Sequence, residues 1–312
     1  MFDSNWGELI LKANGRVRNK EAIHYHFMLF PSIVILAIFS IYPTLGSIMA
    51  FKYFDPIAGI WGSPWAGLDH FKMLFQIPEF KQITINTITI SVVKIILNVS
   101  CALAFALLLH EIKKKWFKKT VQTIVYLPFF LSWVIMAGIF KDFFSIDGMI
   151  NGIVHKLNGS EPTMFFSSNT WFMIIIYLTD VWKGFGFNAI VFLAALTSIN
   201  PNLYEAADVD GASRWAKLVN ITLPSIKGTV VLILILSLQG ILSGGFDQIF
   251  NLYNPLVYQV ADIYDTYIYR MGFQSNQYEF ATAVGLFRSA VAFIFILVSQ
   301  WLAEKYGEYK VF

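Results

Sequence analysis

The sequence predicts an all-α polytopic membrane protein with six transmembrane helices and both termini cytoplasmic, and three observations lead there. Charged residues are only 14% of the 312 positions, against about 25% in soluble domains. Hydrophobic residues make up 56%, more apolar surface than so few charges can cover in water. Six stretches are also long and apolar enough to cross a bilayer. The same composition excludes other classes. A net charge of +3 spread over the chain makes no basic field for nucleic acid. A single cysteine, Cys101, rules out a disulfide framework and any Cys-rich metal centre.

A hydrocarbon core about 30 Å thick takes about 20 residues of helix. The stretches that meet this are 27–51, 83–109, 121–144, 171–198, 229–245 and 281–302. The fifth is short and ends in Ser243-Gly244-Gly245, which predicts unwinding at its outer end. Residues 1–26 hold Lys12, Arg16, Arg18 and Lys20 among acids, are too polar for a cleaved signal, and read as a cytoplasmic segment. Residues 27–302 form the transmembrane domain, and 303–312 a cytoplasmic tail. With the N-terminus inside, the inner segments carry 14 Lys and Arg and the outer ones 5. That asymmetry orients the chain.

Polar side chains inside spans are costly, so each is a candidate for a substrate path. Asp180 and Lys183 lie three apart on one helical face of the fourth span, Lys94 in the second and Arg288 in the sixth. Two roles stand open for Lys94 and Arg288: snorkelling or pairing with Asp180 or Asp247, or direct substrate contact. The aromatics of the outer segments, among them Trp61, Trp65, Tyr253, Tyr258 and Tyr267, form either an interfacial belt or a docking face.

Residues 199–228 form the one long inner loop. Asn200 is a good N-cap and Pro201 a good first helical residue. Leu203, Ala206, Ala207 and Val209 supply a short helix, which Asp210-Gly211 breaks. Ser213 caps a second short helix through Leu218, expected to end or turn at Pro224. The product is a helix–turn–helix knob too small to bury itself. It either docks on another protein or lies on the headgroups.

Glu205-Ala206-Ala207, Asp210-Gly211-Ala212 and Ile221-Thr222-Leu223-Pro224, at these spacings, resemble the EAA loop of bacterial binding-protein-dependent ABC importer permeases. Leu218 stands where that family often has Phe. The likeness extends to Tyr126-Leu127-Pro128, Trp182-Lys183-Gly184 and the segment Gly245 to Phe250, which is similar to the subgroup importing oligosaccharides and polysaccharide fragments. The resemblance implies a subunit of an importer in the bacterial cytoplasmic membrane. Its partners would be a second homologous permease, two ATPase subunits and an extracytoplasmic binding protein that delivers a saccharide.

It further implies that Glu205, Ala206, Ala207, Asp210, Gly211 and Leu218 seat the knob in the ATPase. The chain has no phosphate-binding loop of its own, so ATP and Mg would be held by those partners and the chain would be no enzyme. By the same resemblance the path would involve Phe129, Trp133, Asp180, Lys183, Gly184, Ser237, Ile241 and Gly244. The aromatics could stack on a pyranose or simply pack, and the glycines could serve close helix packing instead.

Other motifs are weak. His24-x-His26 lacks further metal ligands, and His110-Glu111 lacks a second His at helical spacing. A self-contained secondary transporter, coupled through Asp180, Lys183, Lys94 or Arg288, is the competing class. An intramembrane enzyme would need a catalytic pair that the text does not offer.

Overall fold

The computed structural model describes residues 24–306, and the predicted segment 1–26 falls largely outside them. Contacts divide the chain into two compact units, one through Gly67 and one from Leu68.

In the first unit, α1 (His24–Phe51) is long and apolar enough to span a membrane. Its side chains, Phe27, Phe39 and Tyr42 among them, are exposed, as a lipid-facing helix requires. After it the chain folds back. Phe51 and Trp65 stack, and Lys52 donates to the Trp61 carbonyl at 2.9 Å.

The second unit is helical throughout its regular elements. It contains α2 (Asp69–Gln76), α3 (Pro78–Glu111), α4 (Lys115–Phe130), α5 (Trp133–Phe143), α6 (Met149–Asn158) and α7 (Asn169–Thr197). These are followed by α8 (Pro201–Val209), α9 (Arg214–Leu238), α10 (Phe246–Leu252), α11 (Tyr264–Tyr269) and α12 (Tyr278–Tyr306). Helices α3 and α7 pair most extensively. Their contact is built from Ala102 and Ala106 against Ala189, Phe192 and Leu196, small residues letting the backbones approach. In a bilayer, where apolar burial gains little, such close packing replaces the hydrophobic effect as the cohesive force.

Two spans depart from expectation. The stretch 121–144 is expected as one helix, but α4 and α5 meet at a bend of 99°. Leu131 is extended at the break, and Ser132 caps α5 through its hydroxyl, which accepts from the Ile135 amide. Pro128 sits one turn upstream, where its missing N–H and fixed φ weaken the helix. At the loop after residue 199, the second short helix does not stop at Pro224. A π-helical turn over Leu218–Thr222 absorbs the register change, so Arg214–Leu238 runs on as one candidate span.

The expected unwinding at 243–245 is present: α9 ends at Leu238, and Gly244 and Gly245 adopt φ of +57° and +86°. The last candidate span ends at Leu302, as expected, and its helix continues to Tyr306.

Gly186 shows how tightly the bend is held. A Cβ there would lie 2.6 Å from the Val125 carbonyl of α4, a backbone atom that cannot step aside. At Gly184 a Cβ would instead meet the side-chain oxygen of Asn98 at 2.8 Å. Gly186→Ala is therefore expected to destabilise by about 1–3 kcal/mol, the usual cost of overpacking, and Gly184→Ala by less. Thermal unfolding of the purified protein in detergent checks the order.

Candidate translocation site and coupling knob

Lys94 is the seventeenth of the 34 residues of α3, and so lies at the middle of a spanning helix. An ammonium at that depth must find acceptors. It pairs with Asp180 of α7 at 3.4 Å and donates to the Gly244 carbonyl at 3.0 Å and to the Gln248 side-chain oxygen. The Gly244 carbonyl is free to accept because the chain has just left the helix of α9. Gly245 must be glycine: its φ is +86°, and a Cβ would lie 2.5 Å from the Lys94 ammonium.

Gln248 completes the tie. Its amide donates to the Ile176 carbonyl at 2.7 Å and to the Thr179 hydroxyl at 2.8 Å. Asn98, one turn beyond Lys94, donates to the other Asp180 oxygen at 2.7 Å. One buried network therefore pins α3, α7 and α10 to the unwound end of α9.

Beside this network lies a cavity of about 310 Å³. Lys94, Asn98, Asp180, Asn188 and Ser237 form its polar part, and Phe187 one aromatic wall. Of the sequence candidates, Asp180 and Ser237 line it. Phe129 is linked through its ring, stacked on Phe187 at 3.9 Å and nearly parallel. Ile241 lies elsewhere, buried among Leu242, Tyr264 and Phe280, and does not face the cavity. Gly244 contributes its carbonyl to Lys94, while the space a Cβ would need is filled by Ile263.

Lys183 has a different environment from its neighbour Asp180. Its ammonium donates to the carbonyls of Leu131 at 2.6 Å, Phe129 at 2.7 Å and Pro128 at 3.2 Å. It also lies over the rings of Phe129 and Trp133, at 5.6 and 5.7 Å. These carbonyls lie at the bend, and one cation serves all three, although that of Pro128 also accepts from the Leu131 amide at 3.2 Å. Lys183→Met should therefore loosen the bend and lower stability by about 1–3 kcal/mol, mainly through the Phe129 and Leu131 carbonyls. Comparing its thermal midpoint with that of the unaltered protein tests this.

Arg288 pairs neither with Asp180 nor with Asp247, the two partners the sequence suggested. It holds Asp265 at 2.7 Å and donates to the Leu242 carbonyl at 3.0 Å, bracing the segment after α9 from α12. Sequence spacing could not find Asp265, which approaches through the fold of the 246–274 segment. Gln248 was missed for the same reason, being 154 positions from Lys94. Asn98 had a signal, the i,i+4 spacing from Lys94.

Beyond α10, Asp262 pairs with Arg270, whose guanidinium lies over the rings of Tyr258 and Tyr267. Burial, then the neighbouring Tyr258 and Asp262, pushes the Tyr253 phenol up from its ordinary value, so it remains neutral. Tyr267 is buried, and Tyr253 and Tyr258 are half-buried.

The knob has the expected form. Asn200 caps α8 by accepting from the Asn202 amide, Gly211 turns with φ +71°, and Ser213 caps α9 through the Ala216 amide. Lys217 pairs with Asp208, and the Tyr204 hydroxyl meets that of Thr222 at 2.8 Å, so the two arms brace each other. Glu205, Ala206, Asp210 and Gly211 are exposed, and Ala207 and Leu218 half-buried. Val209 is 89% and Trp215 72% exposed. Among the described residues, no group of three or more His, Cys, Asp or Glu could hold a metal ion.

Several helices long enough to span a membrane, a largely apolar cavity with a few polar side chains at the middle of α3, and one braced knob fit a membrane permease. The chain belongs to the family described as binding-protein-dependent transport system inner membrane component, which matches residues 95–307. It is 38% identical to Protein LplB of Bacillus subtilis (strain 168) over 92% of this chain and 90% of that protein. It is 36% identical to the polygalacturonan/rhamnogalacturonan transport system permease protein YteP of the same organism, over 93% and 90%. A solved bacterial ABC transporter involved in import of the acidic polysaccharide alginate contains a chain that superposes with a TM-score of 0.83. That chain is 38% identical, and the match covers 93% of this chain and 99% of that one. A second structure, the alginate transporter in complex with a pentasaccharide-bound periplasmic protein, superposes at 0.84. The protein is thus a membrane component of a binding-protein-dependent transport system.

Proposed function

We propose that this chain forms one half of the translocation path of an ATP-driven importer, and that its cargo is a saccharide, most simply an oligosaccharide. The exposed, braced knob carries the reading, because a chain with no phosphate loop needs a contact through which another polypeptide can move it. Glu205, Ala206, Ala207, Asp210, Gly211 and Leu218 seat that knob in an ATPase subunit, and ATP and Mg belong to that partner. The complex holds a second homologous permease, two ATPase subunits and an extracytoplasmic binding protein. It sits in the bacterial cytoplasmic membrane with both termini of this chain inside.

The cargo passes Ser237, Asp180 and the paired rings of Phe129 and Phe187, with Trp133, Lys183 and Gly184 shaping the wall behind them. The named cargoes of the relatives support a saccharide, and the cavity's mixture of amides, hydroxyl and aromatic face suits one. Gentle purification from the native membrane, with mass spectrometry of what accompanies the chain, is the test. An ATPase subunit and a second permease should co-purify. A chain that purifies alone and moves solute under an ion gradient overturns the reading.

A further inference from the structure

The connection between α3 and α4 carries the densest charge in the chain. Lys113, Lys114, Lys115, Lys118 and Lys119 fall within seven positions, and Glu111 is the one acid nearby. All are exposed except the half-buried Lys118, and none makes an ion pair among the described residues. Trp116 and Phe117 stand between them, Trp116 being 78% exposed. Lys115 and Lys118 lie in the first turn of α4, where a helix dipole disfavours cations, so local stability does not explain them.

The position limits what can answer this charge. Residues 112–114 are all that separate Glu111, the end of one spanning helix, from Lys115, the start of the next apolar pair. A three-residue link cannot lift the lysines away from the membrane surface, unlike the knob at 200–222. Cations on flexible stems beside exposed aromatic rings, at the level where spans end, match a layer of anionic headgroups.

We propose that this lysine–aromatic run is a binding site for anionic phospholipid, holding headgroup phosphates at the junction of α3 and α4. Each lysine near an anionic surface is worth about a fivefold change in partition. Replacing all five by Gln should therefore lower retained anionic lipid by about tenfold or more, even if the contributions overlap.

The assembled transporter is purified into discs of zwitterionic lipid containing a minor share of phosphatidylglycerol, and retained lipid is counted by native mass spectrometry. The unaltered protein should retain phosphatidylglycerol above its bulk share and lose it as salt rises. The five-Gln variant should lose the enrichment, and a five-Arg variant should keep it. If the five-Gln variant fails to accumulate, the salt series on the unaltered protein still decides. Three results would overturn the proposal: equal retention by the five-Gln variant, retention insensitive to salt, or cross-links from the lysines to an ATPase subunit in place of lipid.

Discussion

Lys94→Met is expected to be the most damaging single substitution in the second unit. It would leave the Asp180 carboxylate, the Gln248 oxygen and the Gly244 carbonyl without their shared cation at the middle of α3. Breaking one partner of a buried ion pair costs about 3–5 kcal/mol, since the remaining charge keeps its desolvation penalty. Asp180→Asn should cost less. It preserves the shape that Asn98 recognises but strips Lys94 of its counter-charge. The double variant Lys94→Met, Asp180→Leu should recover much of the loss, because a well-packed apolar pair often replaces a buried ionic one at little cost. Thermal midpoints of the unaltered protein, Lys94→Met, Asp180→Leu and the double variant form a double-mutant cycle. Strong coupling is expected, and a Lys94→Met protein as stable as the unaltered one would remove the pair from its structural role.

The second large effect belongs to the knob and falls on transport rather than stability. Glu205 is exposed and makes no ion pair among the described residues, so nothing within the unit needs it. If it accepts a charge-assisted hydrogen bond from an ATPase subunit, Glu205→Ala removes roughly 1.5–3 kcal/mol of contact, or about tenfold or more in coupled uptake. Gly211→Val acts by another route. Nothing lies within 4 Å of its Cβ position, but φ is +71°, and a side chain there costs about 1–2 kcal/mol of backbone strain. The turn should reshape and misdirect α8. Both variants should accumulate in the membrane and leave the thermal midpoint of the spans nearly unchanged. Uptake should fall while basal ATP hydrolysis by the complex persists. Normal uptake by both variants would contradict the lever role.

Much of this architecture was legible from periodicity and local chemistry. Span positions follow from apolar length, and the knob follows from Asn200, Pro201, Gly211 and Ser213, whose capping and turn preferences act within a few residues. The unwound end of α9 was visible in Ser243-Gly244-Gly245 for the same reason. The bend between α4 and α5 was not, because apolar count says nothing about direction. Its stability depends on Lys183, which lies more than 50 positions away from the carbonyls it serves.

The site was half legible. Asp180 lines the cavity and stood out as a polar group in an apolar helix, while Ser237, which also lines it, was offered by the resemblance alone. Ile241, offered by the same resemblance, does not: α9 ends three residues earlier at Leu238, and Ile241 turns into the core beside Leu242 and Tyr264. Arg288 and Gln248 found partners that the tertiary fold alone could supply.

The most direct measurement is uptake into sealed vesicles containing this chain with its co-purified partners and the binding protein, with ATP and ion gradients varied independently. Uptake should require ATP inside the vesicle, survive collapse of every ion gradient, and disappear when the ATPase subunits are stripped away. Uptake by this chain alone, driven by a gradient with ATP depleted, would contradict the ATP-driven reading and make Lys94 and Asp180 the coupling groups.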